Sequence, residues 1–386
     1  MSAKPLIELD RVERVCEACG DASRHTVCDW SHEAITRGHR WLFHNTIVIC
    51  ERCGFTFLSP CFRPADLTKY YGDSFSRFGG QALDFSPEKR LAFIDEVLRQ
   101  QGKTKVEGVI ELGGNENTTF QEGLRQRFGR VSSYEPNSEC ESDFQGVQAV
   151  PDSSFDLLVH YFILEHIAEV RPFLRECHRM MRRGGVMVVE VPDLLLYPRY
   201  IDALILHEHC NHFTLESLRH LAALEGFRFI AGSNESCSRP FGFVAAFERL
   251  EDGGKDDFQA HDFERNLAVL DTGVKRVRDY RDRVAQTLEE LEANPQEKVV
   301  LWGANDNLMK MLPADRSLPN AVLVDSDPRK KHFHGSLTAV PPLEAVEALR
   351  AAGRLILFTP LHAPAILQWI EENTGRRFED AVILDY

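Results

Sequence analysis

The sequence predicts an α/β protein. A doubly wound, Rossmann-like central domain is expected, with a small cysteine-rich module ahead of it and a second, smaller Rossmann-like domain behind. Three observations carry this. From Lys105 to Leu250, strand-like apolar runs alternate with helix-like amphipathic runs, the grammar of a mostly parallel sheet covered on both faces. Six of the ten cysteines lie in the first 61 residues. A strand followed by a glycine turn then recurs at "KVVLWGA". At 386 residues the chain suits two or three domains. The boundaries expected are 1–70 for the cysteine module, 71–250 for the central domain, 251–295 for a bracing helix and 296–386 for the C-terminal domain.

Within the central domain, VEGVIEL, VSSYEP, FDLLVHYFIL, VMVVEVP and PFGFVAAFERL read as strands. FQEGLRQRF reads as a helix, as does VRPFLRECHRMMRRGG, closed by Gly184-Gly185. LESLRHLAALEGF is a helix with Thr214 as its N-cap, Ser217 in its first turn and Gly226 at its C-terminus. Ligands of such sheets bind at the carboxyl ends of the strands. From Phe263 to Leu291, apolar residues step by three or four, which predicts one long amphipathic helix ending near Asn294-Pro295.

Composition narrows the function classes. With 59 acidic and 45 basic residues the formal charge is −14, a poor match for nucleic acid or anionic membranes. No apolar run reaches the roughly 18–20 residues of a membrane span. The first residues, MSAKPLIELDRVER, lack a basic stretch followed by an apolar one, so a secretory leader is not expected and the cytoplasm is. There, clustered cysteines point to metal or redox chemistry and away from disulfides.

Cys16-Glu17-Ala18-Cys19-Gly20 and Cys50-Glu51-Arg52-Cys53-Gly54 are two CxxC knuckles, each followed by glycine. The spacing aims both thiolates of a knuckle at one ion, and the glycine allows the positive φ that the turn needs. Cys16, Cys19, Cys50 and Cys53 are therefore expected to hold one structural zinc, with free thiols or a redox pair as the alternative. Cys28, His32 and His25 are substitute ligands in the interval. Cys61 and the later cysteines carry no ligand spacing and read as packing residues.

"IELGGNENTTF", from Ile110 to Phe120, reads as strand end, glycine turn and helix start. Glu111 precedes Gly113-Gly114, and Glu135 closes the next strand about 20 residues on, where a carboxylate commonly holds ribose hydroxyls.

The stretch "SFDLLVHYFILEHIAEVRPFLRECHRMMRRGGVMVVEVP" resembles the class I S-adenosylmethionine-dependent methyltransferases. With four cysteines ahead of it and "HEHCNHFT" after it, the chain looks like the zinc-containing sugar C-methyltransferases, over nearly its whole length. That resemblance implies S-adenosylmethionine as cofactor, structural zinc, and a nucleotide-linked keto-deoxysugar as acceptor. In the family the cofactor loop runs E-I-G-x-N-D-G. Here Glu111, Leu112, Gly113, Gly114, Asn115, Glu116 and Asn117 fill the pattern. Asparagine tolerates the positive φ of the glycine it replaces. The resemblance places Glu111, Gly113, Asn115, Asn117, Glu135, Glu165 and His166 around the cofactor. The segment between Glu135 and Phe155 is shorter than in the family and offers Asp152 for adenine.

Methyl transfer to carbon α to a ketone needs a positioned base, and histidine suits it. The family's Y-x-E-H stretch falls on Leu206 to His209: Glu208 and His209 match the acid and the histidine, and leucine replaces the tyrosine. His209 is the expected base, assisted by Glu208. A metal at His207 and His209, or a polar helix entry, are the alternatives. Tyr70-Tyr71-Gly72-Asp73-Ser74 resembles a tyrosine-bearing segment that closes over the cofactor, with Tyr71 as the expected active-site tyrosine and a surface hairpin as the alternative. The C-terminal domain in the family is Rossmann-like and opens with Gly-Ala, matched by Gly303-Ala304. Asn305, Asp306 and Asn307 follow where the family often has lysine, and Asp325-Ser326-Asp327 ends the next strand. O-methylation of a sugar or natural product, or a non-catalytic scaffold with a degenerate loop, are the rival functions.

Overall fold

The computed structural model describes residues 5–35, 39–74, 86–113, 118–135, 142–251, 262–304, 318–326, 337–359 and 362–384. Gly114, Asn115, Glu116 and Asn117 of the glycine turn lie outside them, as do Asn305, Asp306, Asn307 and Asp327. The chain forms two compact units, Met1–His32 with Thr36–Val274, and Glu33–Ile35 with Lys275–Tyr386.

The first unit opens with short strands β1 (Leu6–Glu8) and β2 (Arg11–Val12), then long strands β3 (Arg24–Ile35) and β4 (Arg40–Cys50). After these come β5 (Thr56–Leu58), β6 (Cys61–Phe62) and helix α1 (Pro64–Ser74). β4 alternates half-buried and buried residues before its last four turn fully inward, the period-two pattern of a strand with one covered face. Tyr70 and Tyr71 lie within α1, not in a hairpin.

Helix α2 (Pro87–Gln100) leads into the central sheet of β7 (Val109–Leu112), β8 (Val131–Tyr134), β9 (Phe155–Tyr161), β10 (Met181–Pro192), β12 (Phe227–Ser233) and β13 (Gly242–Arg249). The strand between them in sequence, β11 (Asn211–His212), joins β5 instead. The sheet order is β12-β13-β10-β9-β7-β8. β8, β7, β9 and β10 run parallel, while β13 pairs antiparallel with both β10 and β12. Helices α3 (Thr119–Phe128), α4 (Val170–Met180) and α6 (Leu215–Leu224) make the crossovers, and a short α5 (Asp202–Ile205) precedes β11. Ile94, Val97 and Leu98 of α2 and Leu124 of α3 cover Val109, Leu157 and Val188 on one face. Leu174 and Cys177 of α4 and Leu218 and Leu221 of α6 cover Ile110, Leu158 and Met187 on the other. Burial on both faces is why β9 and β10 are nearly all apolar.

Thr214 caps α6 as expected, in a reciprocal box with Ser217. The segment predicted as one helix through Gly185 differs. α4 stops at Met180, and Met181–Pro192 is a single strand whose pairing with β9 slips between Met181 and Val186. Gly184, at φ 72°, lies in that slip, so the glycine pair bends a strand and does not cap a helix. β9 ends earlier than read, at Tyr161, and Leu164–His166 forms a 3₁₀ turn. Between β8 and β9 the described residues hold one isolated parallel bridge, Tyr134 to Phe144, and the 3₁₀ turn Val147–Ala149.

Helix α7 (Phe263–Ala293) carries the predicted stripe: Leu270, Val274, Val277, Tyr280, Val284, Leu288 and Leu291 are all buried. In the second unit, β14 (Val299–Trp302), β15 (Ala321–Val324), β16 (Ala339–Val340), β17 (Arg354–Leu357) and β18 (Val382–Ile383) form a wholly parallel sheet, ordered β16-β15-β14-β17-β18. Gly303 leaves β14 at φ 104°, and a Cβ there would come within 2.7 Å of the Thr359 side chain. The Ala304 N–H donates to Asp325 Oδ2 at 2.8 Å.

His160 sits in β9 at 0% exposure, edge-on to Phe173, and neither ring nitrogen has a hydrogen-bond partner among the described residues. Burial lowers its pKa to about 3. The unfolded chain takes up this proton below about pH 6.5 while the folded chain refuses it, so stability falls with pH from there down to about 3. Chemical denaturation of the wild type and His160→Leu at pH 7.5 and 5.0 checks this. The wild type should lose about 2 kcal/mol more than the variant over that interval; equal losses would contradict it.

Candidate functional site

Gly113, Tyr134 and Ile163 follow or end β7, β8 and β9 at their carboxyl ends, and together they line a cavity of about 450 Å³. Gly113 has φ 68°, donates its N–H to the Tyr134 carbonyl at 2.7 Å, and lies beneath Ile163, whose Cδ1 would stand 2.0 Å from an added Cβ. Leu112, Gln148 and Phe173 complete much of the wall. Glu111 lies within β7 and is buried; Glu135 follows β8, also buried, with its N–H bonded to the Phe144 carbonyl. Asp152 is not in the cavity wall: it pairs with Arg179 at the surface. Ile163, Gln148 and Phe173 were not singled out from sequence. The shortness of the β8–β9 connection was the signal available, since what remains of it must wall the cavity.

A second cluster lies beyond the 3₁₀ turn that follows β9. Segment His207 to Phe213 is tied into place through both its backbone and its side chains. Cys210 N–H donates to the Glu165 carbonyl at 2.7 Å, and the Cys210 carbonyl accepts from Leu58 N–H at 2.9 Å and from Arg14 Nη1 at 3.3 Å. Asn211 and His212 pair with Phe57 and Thr56 as an added strand. The Asn211 amide donates to the Ile167 carbonyl at 2.6 Å and accepts from Arg14 Nη2 at 3.0 Å, and Asn45 donates to the His207 carbonyl at 3.0 Å. The cysteine-bearing module and the central sheet thus hold this segment from opposite sides.

The side chains follow from that placement. Tyr70 donates to Glu208 Oε1 at 2.5 Å, and His207 Nε2 is 2.9 Å from the same hydroxyl. Burial disfavours the Glu208 charge, but the hydrogen bond and charge of His207 and the Tyr70 hydroxyl outweigh it, so its carboxyl titrates well below the usual range. His209 is 4% exposed, and its Nδ1–H donates to the Ala203 carbonyl at 2.7 Å. That bond fixes the tautomer and leaves Nε2 as an acceptor. Burial first, then His166 and His212, hold His209 far below the ordinary histidine range, while Glu208 favours its protonated form. His166 stacks edge-on to His209 with ring centres 4.9 Å apart, and its Nδ1 is 3.1 Å from the Tyr71 hydroxyl. Glu165, 1% exposed, is raised to about 8 by burial. Glu165, His166, Tyr71, Glu208 and His209 are thus one cluster, a neutral-base site beside an ionised carboxylate. Tyr70 and His207 stood in stretches the sequence singled out, but their contact with Glu208 carried no sequence signal, because it depends on how α1 packs.

The four thiols of the two knuckles also converge. Cys16 and Cys53 sulfurs are 3.5 Å apart, as are those of Cys19 and Cys50, and all four lie within 4.8 Å of one another. Gly20 and Gly54 follow at φ 74° and 73°. Each knuckle closes by the same bond, Gly20 N–H to the Cys16 carbonyl and Gly54 N–H to the Cys50 carbonyl. Cys28, His32 and His25 are not in this cluster.

Residues 86–231 match the family model described as "Methyltransferase domain". A probable S-adenosylmethionine-dependent methyltransferase of Mycobacterium tuberculosis is 29% identical over 108 residues, 28% of this chain and 37% of that one. One from Mycolicibacterium smegmatis is 30% identical over 78 residues, 20% and 30% of the two chains. The chain thus spans about a third of the length of these relatives. Among solved structures, the 1,6-didemethyltoxoflavin-N1-methyltransferase of Burkholderia thailandensis aligns with a TM-score of 0.39 at 13% identity, covering 51% of this chain and 96% of that one. A methyltransferase from Mesorhizobium loti aligns at 0.31 and 14%, covering 37% and 91%. Residues 86–231 are thus similar to methyltransferase domains, and the relatives that share part of this region are named as S-adenosylmethionine-dependent methyltransferases.

Among the described residues, no helix is long and apolar enough to cross a membrane. Tyr70→Phe removes the hydroxyl shared by Glu208 and His207. It should lower unfolding free energy by about 1.5–3 kcal/mol, the range for hydrogen bonds to charged groups, in urea denaturation. A change below about 0.5 kcal/mol would mean the hydroxyl does not hold Glu208.

Proposed function

We propose that the chain transfers a methyl group from S-adenosylmethionine to a sugar, at a carbon next to the ketone of a nucleotide-linked keto-deoxysugar. The observation that carries this is His209: buried, tautomer fixed by the Ala203 carbonyl, Nε2 exposed to the cluster and Glu208 beside it as a carboxylate. When bound, the cofactor supplies an electrophilic methyl. The Gly113 turn and the cavity to Phe173 would hold it, and the resemblance assigns Glu135 to the ribose and Glu111, Asn115, Asn117, Glu165 and His166 to the rest of the cofactor. Gly113 fits that role because a side chain there would fill the space beneath Ile163.

His209 Nε2 takes the proton from the acceptor carbon, giving an enolate. The negative Glu208 stabilises the imidazolium that results, which offsets the weakness that burial imposes on His209. Tyr71 and His166 face the same cluster and orient the acceptor oxygen.

The four-cysteine cluster fits structural zinc. Tetrahedral Zn–S bonds of about 2.3 Å put sulfurs about 3.8 Å apart, close to the 3.5 Å of its two nearest pairs. Four thiols this close also resist joint ionisation unless a cation offsets the charge. Cys16, Cys19, Cys50 and Cys53 would fill all four positions and leave none for water, so the metal organises the module and takes no part in the reaction.

Three experiments test the reading. Calorimetric titration with S-adenosylhomocysteine should give micromolar binding to the wild type and at least tenfold weaker binding to Gly113→Ala; absence of binding at millimolar ligand would favour the scaffold alternative. With a confirmed acceptor, His209→Ala should lose at least a hundredfold in turnover while keeping its S-adenosylhomocysteine affinity, and full turnover would remove His209 from the base role. Product NMR separates a C-methyl from an O-methyl resonance, and an O-methyl product would replace carbon as the acceptor atom.

A further inference from the structure

Glu165, His166 and His209 offer one ligand atom each, and those atoms lie within 4.8 Å of one another. We propose that these three side chains form a second metal site, taking one divalent ion of the zinc, cobalt or nickel class, and that this ion and base catalysis exclude each other. The second half rests on the base role of His209; the first does not.

The donor set is built for such an ion. In His209, Nδ1 is committed to the Ala203 carbonyl at 2.7 Å, so Nε2 presents its lone pair. In His166, Nδ1 faces the Tyr71 hydroxyl at 3.1 Å and Glu208 Oε2 at 3.9 Å, while Nε2 lies 3.9 Å from Glu165 Oε1. Orienting partners of this kind, a backbone carbonyl for one histidine and a hydroxyl and carboxylate for the other, are what metal-bound histidines carry. Glu165 adds a carboxylate that is 1% exposed and whose Oε2 has no hydrogen-bond partner among the described residues.

Two nitrogens and one oxygen select borderline transition ions over magnesium or calcium, which want oxygen throughout. A tetrahedral zinc site needs ligand atoms about 3.4 Å apart, so the trio has only to tighten through side-chain rotation. Binding expels the Glu165 proton, and its carboxylate together with that of Glu208 then matches the ion's two positive charges. His207, the other histidine of the HxH pair, does not belong to this cluster: its Nε2 is engaged by Tyr70 and Glu208. Once an ion holds His209 Nε2, that lone pair no longer accepts a proton. Occupancy therefore blocks turnover without displacing the four-cysteine metal.

The test is equilibrium dialysis against zinc alone, with elemental analysis, on full-length protein already carrying one zinc. The wild type should bind a second equivalent at micromolar free zinc. Glu165→Gln and His209→Gln should each weaken it at least tenfold while retaining the first equivalent, which reports an intact fold. Tyr71→Phe, which keeps all three ligands, should weaken it about tenfold or more through lost orientation. A wild type that stops at one equivalent, or a second equivalent indifferent to both ligand variants, overturns the site. Zinc should also inhibit turnover with the midpoint of the second equivalent. Binding without inhibition would overturn the exclusion and the base role of His209 together, and leave the ion site standing.

Discussion

Everything in the candidate site depends on where one backbone segment lies. Residues His207 to Phe213 gain a position from β5, Arg14 and Asn45 on one side and from the carbonyls of Glu165 and Ile167 on the other. A short segment with no regular structure of its own would otherwise have many conformations, and fixing each residue costs about 1–2 kcal/mol. Here the His209 and Cys210 N–H groups, the His207, Cys210 and Phe213 carbonyls and the Asn211–His212 strand pairing all have partners, so the segment is specified by hydrogen bonds and not by side-chain packing alone. The cysteine module earns its place in the chain through this contact: β11 extends its sheet, and β11 is the continuation of Glu208-His209.

Burial then sets the chemistry. His166 and His209 are neutral because ionised imidazole is disfavoured away from water. Glu165 is pushed the same way, toward its uncharged form. Glu208 escapes because His207 and Tyr70 hold its charge in place. Two carboxyls, Glu165 and Glu208, are thus separated in acidity: burial raises the first, and the contacts of His207 and Tyr70 lower the second.

Local features were legible in the sequence. The Thr214–Ser217 cap needs only a hydroxyl three residues from another, and the α7 stripe needs only period 3.6. The parallel core was legible too, because strands covered on both faces must be apolar throughout. The MRRGG segment was not, since a glycine pair after a helix-like run ends a helix or kinks a strand with equal local logic, and the pairing of Met181 with Phe155 decided it. In the site, Glu208 and His209 were marked by the resemblance of their stretch to the family's Y-x-E-H pattern. Their partners were not, because Tyr70, Asn45 and Arg14 are distant in sequence and reach the segment only once β4, β5 and α1 have packed.

The most direct measurement of this account is amide hydrogen exchange of residues 207–213, before and after chelator treatment of protein in which elemental analysis finds the proposed zinc. If the module fixes the site, protection at Cys210, Asn211 and His212 should fall by at least a hundredfold, while the central strands β9 and β10 keep theirs. Unchanged protection at those three amides after metal loss would contradict it, and would mean that the central sheet alone positions Glu208 and His209.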